Sequence, residues 1–451
     1  MTRIFLLSAF LMPVSLLNAY AQGIFEEALE SNDTVAAHNE VFTLGGFTRA
    51  SAWLGGDTYD YASLFGEFAV QGRISGNRVF LSSDIRFAEG LYFGHRETRV
   101  QVREAYAGIR WDRADVFVGN QIVTWGRTDG FNPVDNISPR NYFLLSTDPD
   151  DQLKGNFMLR ARLRPATHTE LEVVAIPYYK PSVYRYDLFE MDESVSFTEA
   201  PLPDGTFRNG SVALRMTTEL PSVGFSFSYF SGYDPFYGFD IDSYSFLPEP
   251  EIVYRPDFFR KHTPGFDMSL PAGPMIFRLE TAYNITSGYS DNIYIPNPEL
   301  YLVAAAERNV GGVNAIFQYI GKYIADYSPV DPPALPDMQD PADLFRWASE
   351  SVVYESALYN RRIFIQQEEF NHAMFLSLSR SFFYEELRVE FSSYYNFTSE
   401  EYLIRPELKW SARDGMLISA GAQIMKGPDE SIYDMAGKVL GGFFAGIRMS
   451  F

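Results

Sequence analysis

The 451-residue sequence contains no cysteine. Disulfides, thiolate metal sites, cysteine nucleophiles and a lipidated N-terminal cysteine are all excluded. Positive charge is short: 37 Lys and Arg stand against 58 Asp and Glu, a net charge of −21. So acidic a chain is a poor partner for a phosphate backbone, and no nucleic acid is expected as ligand. Histidine is scarce, and His38, His95, His168, His262 and His372 form no His-x-x-x-His zinc pair. There is no Gly-x-Ser-x-Gly elbow and no phosphate-cradling loop. A hydrolytic barrel needs a His beside Ser or Asp at one membrane depth. His372 lies near Ser377 and Ser379, but Met374 and Leu376 share its face, which suits a lipid-facing position. No catalytic residue, cofactor or metal site is therefore expected. Beyond residue 20, no apolar run approaches the ~18 residues of a membrane helix.

Aromatic residues are in excess, with 39 Phe, 29 Tyr and 5 Trp. The chain opens as an export signal. Arg3 supplies a positive start, Ile4 to Leu17 an apolar stretch, and Ala19-Tyr20-Ala21 a small-x-small cleavage site before Gln22. Residues 1–21 thus read as a signal peptide. Residues 22–38, helix-compatible over Phe25 to Ser31, read as a short periplasmic segment too small to be a domain.

From residue 39 to 451, alternation with period two dominates. Phe225, Phe227 and Tyr229 alternate with Gly224, Ser226 and Ser228. Leu159, Ala161 and Leu163 stand opposite Arg160, Arg162 and Arg164. Phe277 and Leu279 alternate with Arg278 and Glu280, and Leu387, Val389 and Phe391 with Arg388 and Glu390. Arg405, Glu407 and Lys409 continue the pattern. Sandwich strands run ~5–6 residues, whereas these run about 10–14 residues with one face apolar throughout, the apolar-out, polar-in pattern of a membrane barrel. Lipid satisfies no backbone polar group, so such a sheet must close. Tyr and Trp then serve at the two membrane interfaces.

The expected fold is all-β, an antiparallel transmembrane barrel of about 18 strands, with 16 to 20 compatible. The strands fall at 41–53, 62–75, 78–87, 98–110, 114–125, 153–164, 168–178, 206–219, 222–233, 260–270, 274–286, 298–307, 312–324, 363–379, 384–396, 401–412, 415–426 and 438–451. The turns at 75–77, 112–114, 220–221 and 413–415 are short. The connections at 126–152, 179–205, 234–259 and 325–362 are long, and all follow odd-numbered strands. Outer-membrane barrels have this asymmetry, with short periplasmic turns and long external loops. The cell outer membrane is the expected location, with its lipids and lipopolysaccharide as surroundings. Acidic clusters such as Asp148, Asp150 and Asp151, or Asp337, Asp340 and Asp343, read as solvated loop charge rather than as cation sites.

Two segments carry resemblances. At the C-terminus Phe443, Ala445, Ile447, Met449 and Phe451 share one face and the chain ends on an aromatic. This resembles the assembly signal of bacterial outer-membrane proteins, which implies the barrel-assembly machinery as a partner. The hairpin from Arg103-Glu104-Ala105-Tyr106 through Gly119-Asn120-Gln121 and Trp125-Gly126-Arg127-Thr128-Asp129-Gly130 to Pro139 resembles the DUF1302-like outer-membrane barrels. The likeness covers about 40 residues and rests on Arg103, Glu104, Tyr106, Gln121, Trp125, Gly126, Asp129, Gly130 and Pro139. It implies a conduit for hydrophobic compounds or lipids, with a periplasmic lipid carrier and an inner-membrane exporter as partners.

Loop 126–152 is rich in groups that bond their own backbone, including Asp129, Asn132, Asp135 and Asn136. It suits either an external cap or a segment folded into the lumen. In the second case Arg127, Asp129 and Asp135 would meet the permeant. The inward-facing Arg160, Arg162, Arg278, Glu280, Arg388, Glu390, Arg405 and Glu407 either line an aqueous pore or pair among themselves. A porin-like channel with a charged lumen is the leading expectation. A lipid conduit and a structural or adhesin barrel are the alternatives.

Overall fold

A computed structural model describes residues 42–55, 61–189 and 193–451. The signal peptide expected at 1–21 and the segment at 22–38 lie outside the described residues. The strands are β1 (Phe42–Gly55), β2 (Ser63–Ser75), β3 (Val79–Tyr92), β4 (His95–Arg110), β5 (Ala114–Gln121), β6 (Asn156–Ala166), β7 (Thr169–Ile176), β8 (Val195–Phe197), β9 (Ser211–Leu220), β10 (Val223–Tyr233) and β11 (Gly238–Ser245). They continue with β12 (Glu251–Asp257), β13 (Arg260–Ala272), β14 (Met275–Thr286), β15 (Glu299–Val310), β16 (Val313–Ile324), β17 (Phe370–Phe382), β18 (Leu387–Asn396), β19 (Glu401–Arg413), β20 (Met416–Lys426) and β21 (Gly442–Ser450). Two α-helices are described, α1 (Pro341–Phe364) and α2 (Ile432–Leu440).

Eighteen strands form one closed antiparallel barrel, all but β8, β11 and β12. β1 closes it by pairing with both β2 and β21, in a register that sets Phe47 opposite Ser450 and Gly55 opposite Gly442. Eighteen strands enclose a lumen wide enough to hold more than wall side chains. The expected faces hold. Phe227, Leu159, Phe277, Val389 and Leu408 point out to lipid, while Ser226, Arg278, Glu280, Glu390 and Glu407 are buried inside. His372 faces outward, where its ring nitrogen meets the Tyr319 hydroxyl at 2.5 Å. Phe443, Met449 and Phe451 are also outward. Phe451 stacks on Phe68 at 5.9 Å, and its backbone pairs with Gly46 in both directions at 3.0 Å.

Several boundaries differ from expectation; β3 runs on to Tyr92 rather than to residue 87, and β9 begins at Ser211 rather than at residue 206. β5 ends at Gln121 rather than at residue 125. The strand expected from 363 begins at Phe370, because 341–364 is helical. The strand expected from 438 begins at Gly442, because α2 runs to Leu440. α1 starts at a proline, with the Asp340 carboxylate accepting from the Ala342 N–H, and ends at Ile365 with φ 53°. Its buried Val352, Ser356, Tyr359 and Ile363 recur at helical spacing. Neither helix is long and apolar enough to cross a membrane.

The external loops pack together over the barrel mouth. β8, β11 and β12 form a small sheet there. α1 is pinned to it by the Asn360 amide, which donates to the Phe239 carbonyl at 2.8 Å and accepts from its N–H at 2.9 Å. Tyr254 and Ser356 hydroxyls meet at 2.9 Å. Tyr184, Tyr237, Phe239, Phe258, Tyr359 and Tyr433 belong to one buried cluster. Part of the aromatic excess thus builds this apolar cap, in addition to residues at the membrane interfaces.

Candidate functional site

The connection between β5 and β6, residues 122–155, leaves the wall and enters the lumen. The cause is local. Past Gln121, side chains take the N–H groups that a ladder would need. Glu104 accepts from Ile122 at 2.9 Å, Ser138 from Val123 at 2.8 Å and Asp135 from Trp125 at 3.3 Å. Strand parity alone would send Arg103 and Glu104 to opposite faces. A β-bulge at Arg103 turns both inward, with Glu104 opposite Asp84 and Val102 opposite Ile85.

The loop then crosses the barrel. The Trp125 ring N–H donates to Glu172 on β7 at 2.9 Å. The Arg127 guanidinium meets Asp267 on β13 at 2.6 Å and also Glu219 on β9. Glu280 on β14, fully buried, accepts the backbone N–H of Arg127 and, at 2.5 Å, that of Thr128. Gly126 is required here. Its φ is +119°, and a Cβ would stand 2.8 Å from both Glu280 carboxylate oxygens. Asp129 lies 3.5 Å from Arg278, and Gln318 on β16 donates to the Asp129 carbonyl at 2.8 Å. Gly130, φ +82°, turns the chain. Phe131 then stacks on Tyr394 of β18 at 5.3 Å and lies 5.7 Å from Phe375 of β17. β17 stands nine strands from β5 in either direction round the barrel, so the loop spans the full diameter.

The returning limb is bound to the other side. Asp151 accepts from Arg49 of β1 and Arg86 of β3, each at 2.5 Å. Ser146 accepts from Arg49 at 2.9 Å, and the Asp150 carbonyl from Arg103 at 2.6 Å. Asp148 lies 3.6 Å from Arg448 of β21. The acidic run 148–151 is therefore no solvated external cluster, and Asp151 is buried in a four-charge lattice with Arg49, Arg86 and Glu67.

Environment separates the loop carboxyls. Burial works against ionising Asp151, but Arg49 and Arg86 outweigh it and hold the group well below the usual carboxylate range. For Asp129 burial wins. It pushes the carboxyl up to about 6, with Arg278 pulling down and Glu307 pushing further up. Asp135 is raised by burial too, against Arg140, whose guanidinium lies 3.1 Å away.

Charges elsewhere on the inner wall carry their own partners. Arg160 and Arg162 meet Glu172, and Arg164 meets Asp115 at 2.7 Å. Arg388 meets Glu390 at 2.7 Å, Lys409 meets Glu390 at 2.9 Å, and Arg405 meets Glu407 at 3.3 Å. The arginine ladder is a set of ion pairs rather than a bare cationic track. A cavity of about 200 Å³ remains between the loop and the wall of β13–β18, below the loop at 234–259 and the end of α1. Asp135 borders it, whereas Arg127 and Asp129 do not. Those two hold the loop against the wall. Arg49, Arg86, Glu172 and Asp267 escaped the sequence reading. Their inward parity was available, but no local motif joins them to a loop dozens of residues away.

No known protein family's sequence profile matches the chain, and no curated protein sequence does either. Solved structures match the fold. OccAB2 of Acinetobacter baumannii is 9% identical with a TM-score of 0.51, over 91% of this chain and 98% of that one. OccK2 (OpdF) of Pseudomonas aeruginosa is 8% identical with a TM-score of 0.51, over 91% and 96%. A BenF-like porin from Pseudomonas fluorescens Pf-5 is 9% identical with a TM-score of 0.51, over 91% and 97%. The fold is thus that of an outer-membrane porin-type barrel.

Proposed function

We propose that the protein is a passive, porin-like channel of the outer membrane, narrowed by loop 122–155. One observation carries the reading. That loop crosses an 18-strand lumen from β5 to the opposite wall, and inner-wall side chains anchor it along its length. The lining of ion pairs and amides supports polar permeants. No observation favours a lipid conduit or an adhesin. Membership of the DUF1302-like barrels remains part of the proposal. It is supported by the tasks its motif residues perform: Arg103 and Glu104 at the bulge, Trp125 on Glu172, Gly126 against Glu280. Lipopolysaccharide and the barrel-assembly machinery are the proposed partners.

The test is conductance of the refolded mature chain in planar bilayers, beside a variant with residues 127–140 replaced by Gly and Ser. A current that rises on the replacement is expected. Absence of current from both proteins, each folded by its heat-shifted gel mobility, overturns the channel.

A further inference from the structure

The cavity above the loop has an unusual balance of charge. Three cations and three carboxylates border it, and each cation is already engaged. Arg140 lies 3.1 Å from Asp135, Lys261 2.8 Å from Asp234, and Lys322 3.1 Å from Glu299. The lining therefore has no surplus sign. An anionic solute would have to draw a cation off its carboxylate and leave that carboxylate buried and uncompensated, and a cationic solute does the reverse. A neutral solute pays neither cost.

The remaining lining narrows the class further. The amides of Asn132, Asn284 and Asn396 share the cavity with the rings of Tyr301, Phe236 and Phe364. The two phenylalanines are half-buried and 5.8 Å apart; Phe236 comes from the loop after β10 and Phe364 from the end of α1, not from the wall. Flat ring faces carry a negative quadrupole that attracts the weakly positive C–H face of a saturated ring. Amides and ion-paired carboxylates keep lone pairs and N–H groups for hydroxyls. A volume of about 200 Å³, in a cavity open to solvent, limits the occupant to a small solute.

We infer that this cavity is a binding site for a neutral polyhydroxylated solute of monosaccharide size, which the channel admits. The inference deepens the channel reading and rests on it. Phe236 and Phe364 supply the ring platform. Lys261–Asp234 and Lys322–Glu299 supply hydroxyl partners while staying paired to each other.

The experiment titrates the folded mature barrel in detergent with glucose and glucuronate, reading intrinsic fluorescence. Planar-bilayer conductance is recorded on the same preparation. Saturable binding of glucose, with glucuronate at least tenfold weaker, is expected. Phe236→Ala and Phe364→Ala, both outside the barrel wall, are expected to weaken sugar binding about 2- to 10-fold each while leaving the heat-shifted gel band in place. Glucuronate binding as well as glucose overturns the inference while the channel stands. So does conductance without saturable binding of any sugar. Sugar binding unchanged in both variants overturns the assignment to this cavity. Absence of conductance from both wild type and the 127–140 replacement overturns the channel reading, whatever binds.

Discussion

Glu280→Ala tests whether the loop is held inside by the wall or merely rests there. The carboxylate accepts two backbone N–H groups, those of Arg127 and Thr128, in a fully buried site. A typical intramolecular hydrogen bond contributes about 0.5–1.5 kcal/mol, so the pair holds the crossing limb by about 1–3 kcal/mol. At about 1.4 kcal/mol per factor of ten, the pair lowers the detached fraction of the tip about 5- to 140-fold. The alanine variant removes that restraint and leaves two buried donors without an acceptor, which favours detachment further. The returning limb keeps Asp151 on Arg49 and Arg86, so release is confined to the tip. Limited trypsin digestion of the folded barrel, read by fragment mass, reports access to Arg127. Cleavage there is expected to rise about 5- to 140-fold, together with a larger single-channel conductance. Glu280→Gln keeps one acceptor oxygen and is expected to fall between. Unchanged cleavage and conductance in a folded Glu280→Ala barrel would refute the anchoring argument.

Other outcomes follow from the same geometry. Gly126→Ala places a Cβ against the Glu280 oxygens at a φ unsuited to L-residues, and is expected to release the tip in the same assay at a cost of about 1–3 kcal/mol. Arg49→Met leaves Asp151 and Glu67 short of one cation inside the lumen. A loss of about 3–5 kcal/mol is expected, seen as a lower temperature for the gel mobility shift, and an unshifted midpoint would contradict the buried lattice. The Asp129 carboxyl, raised to about 6, is ionised above that pH and neutral below it. Acidifying from pH 7.5 to 5 therefore removes one negative charge from the loop, and cation preference, measured by reversal potential, is expected to fall through pH 6. Asp129→Asn should abolish that step. The stability contribution runs opposite to that of a salt-bridged acid: the native state holds this proton more tightly than the unfolded chain, so this group favours folding as pH drops from above 6 towards 4. Phe451→Ala removes the ring stacked on Phe68 and is expected to lower the yield of folded barrel in cells more than its stability after refolding.

The wall was legible in the sequence because its code is local. Period-two alternation records, residue by residue, which side meets lipid, and lipid tolerates only closed sheets. The strand count, the side on which long loops lie and the inward sets such as Arg160 with Arg162 and Arg388 with Glu390 all follow from that rule. The helices were missed although α1 carries a capping Asp340, an N-terminal proline and a helical repeat of buried residues. In a chain read with period two, Ile363 and Phe364 pass for the start of the next strand.

What only the tertiary structure decided lies inside the wall. The composition of 126–152 was compatible with either a cap or an inward fold. The outcome depends on Glu280, Asp267, Arg278, Arg49 and Arg86, which sit 65 to 153 positions away in the chain and converge only when the barrel closes. The same holds for the arginine ladder. Alternation shows that Arg160 and Arg162 point inward, but their charge is matched by Glu172 on the neighbouring strand. Local periodicity fixes which face a side chain takes. Register and closure determine what it meets there, because each partner's position is set by strands far away in sequence.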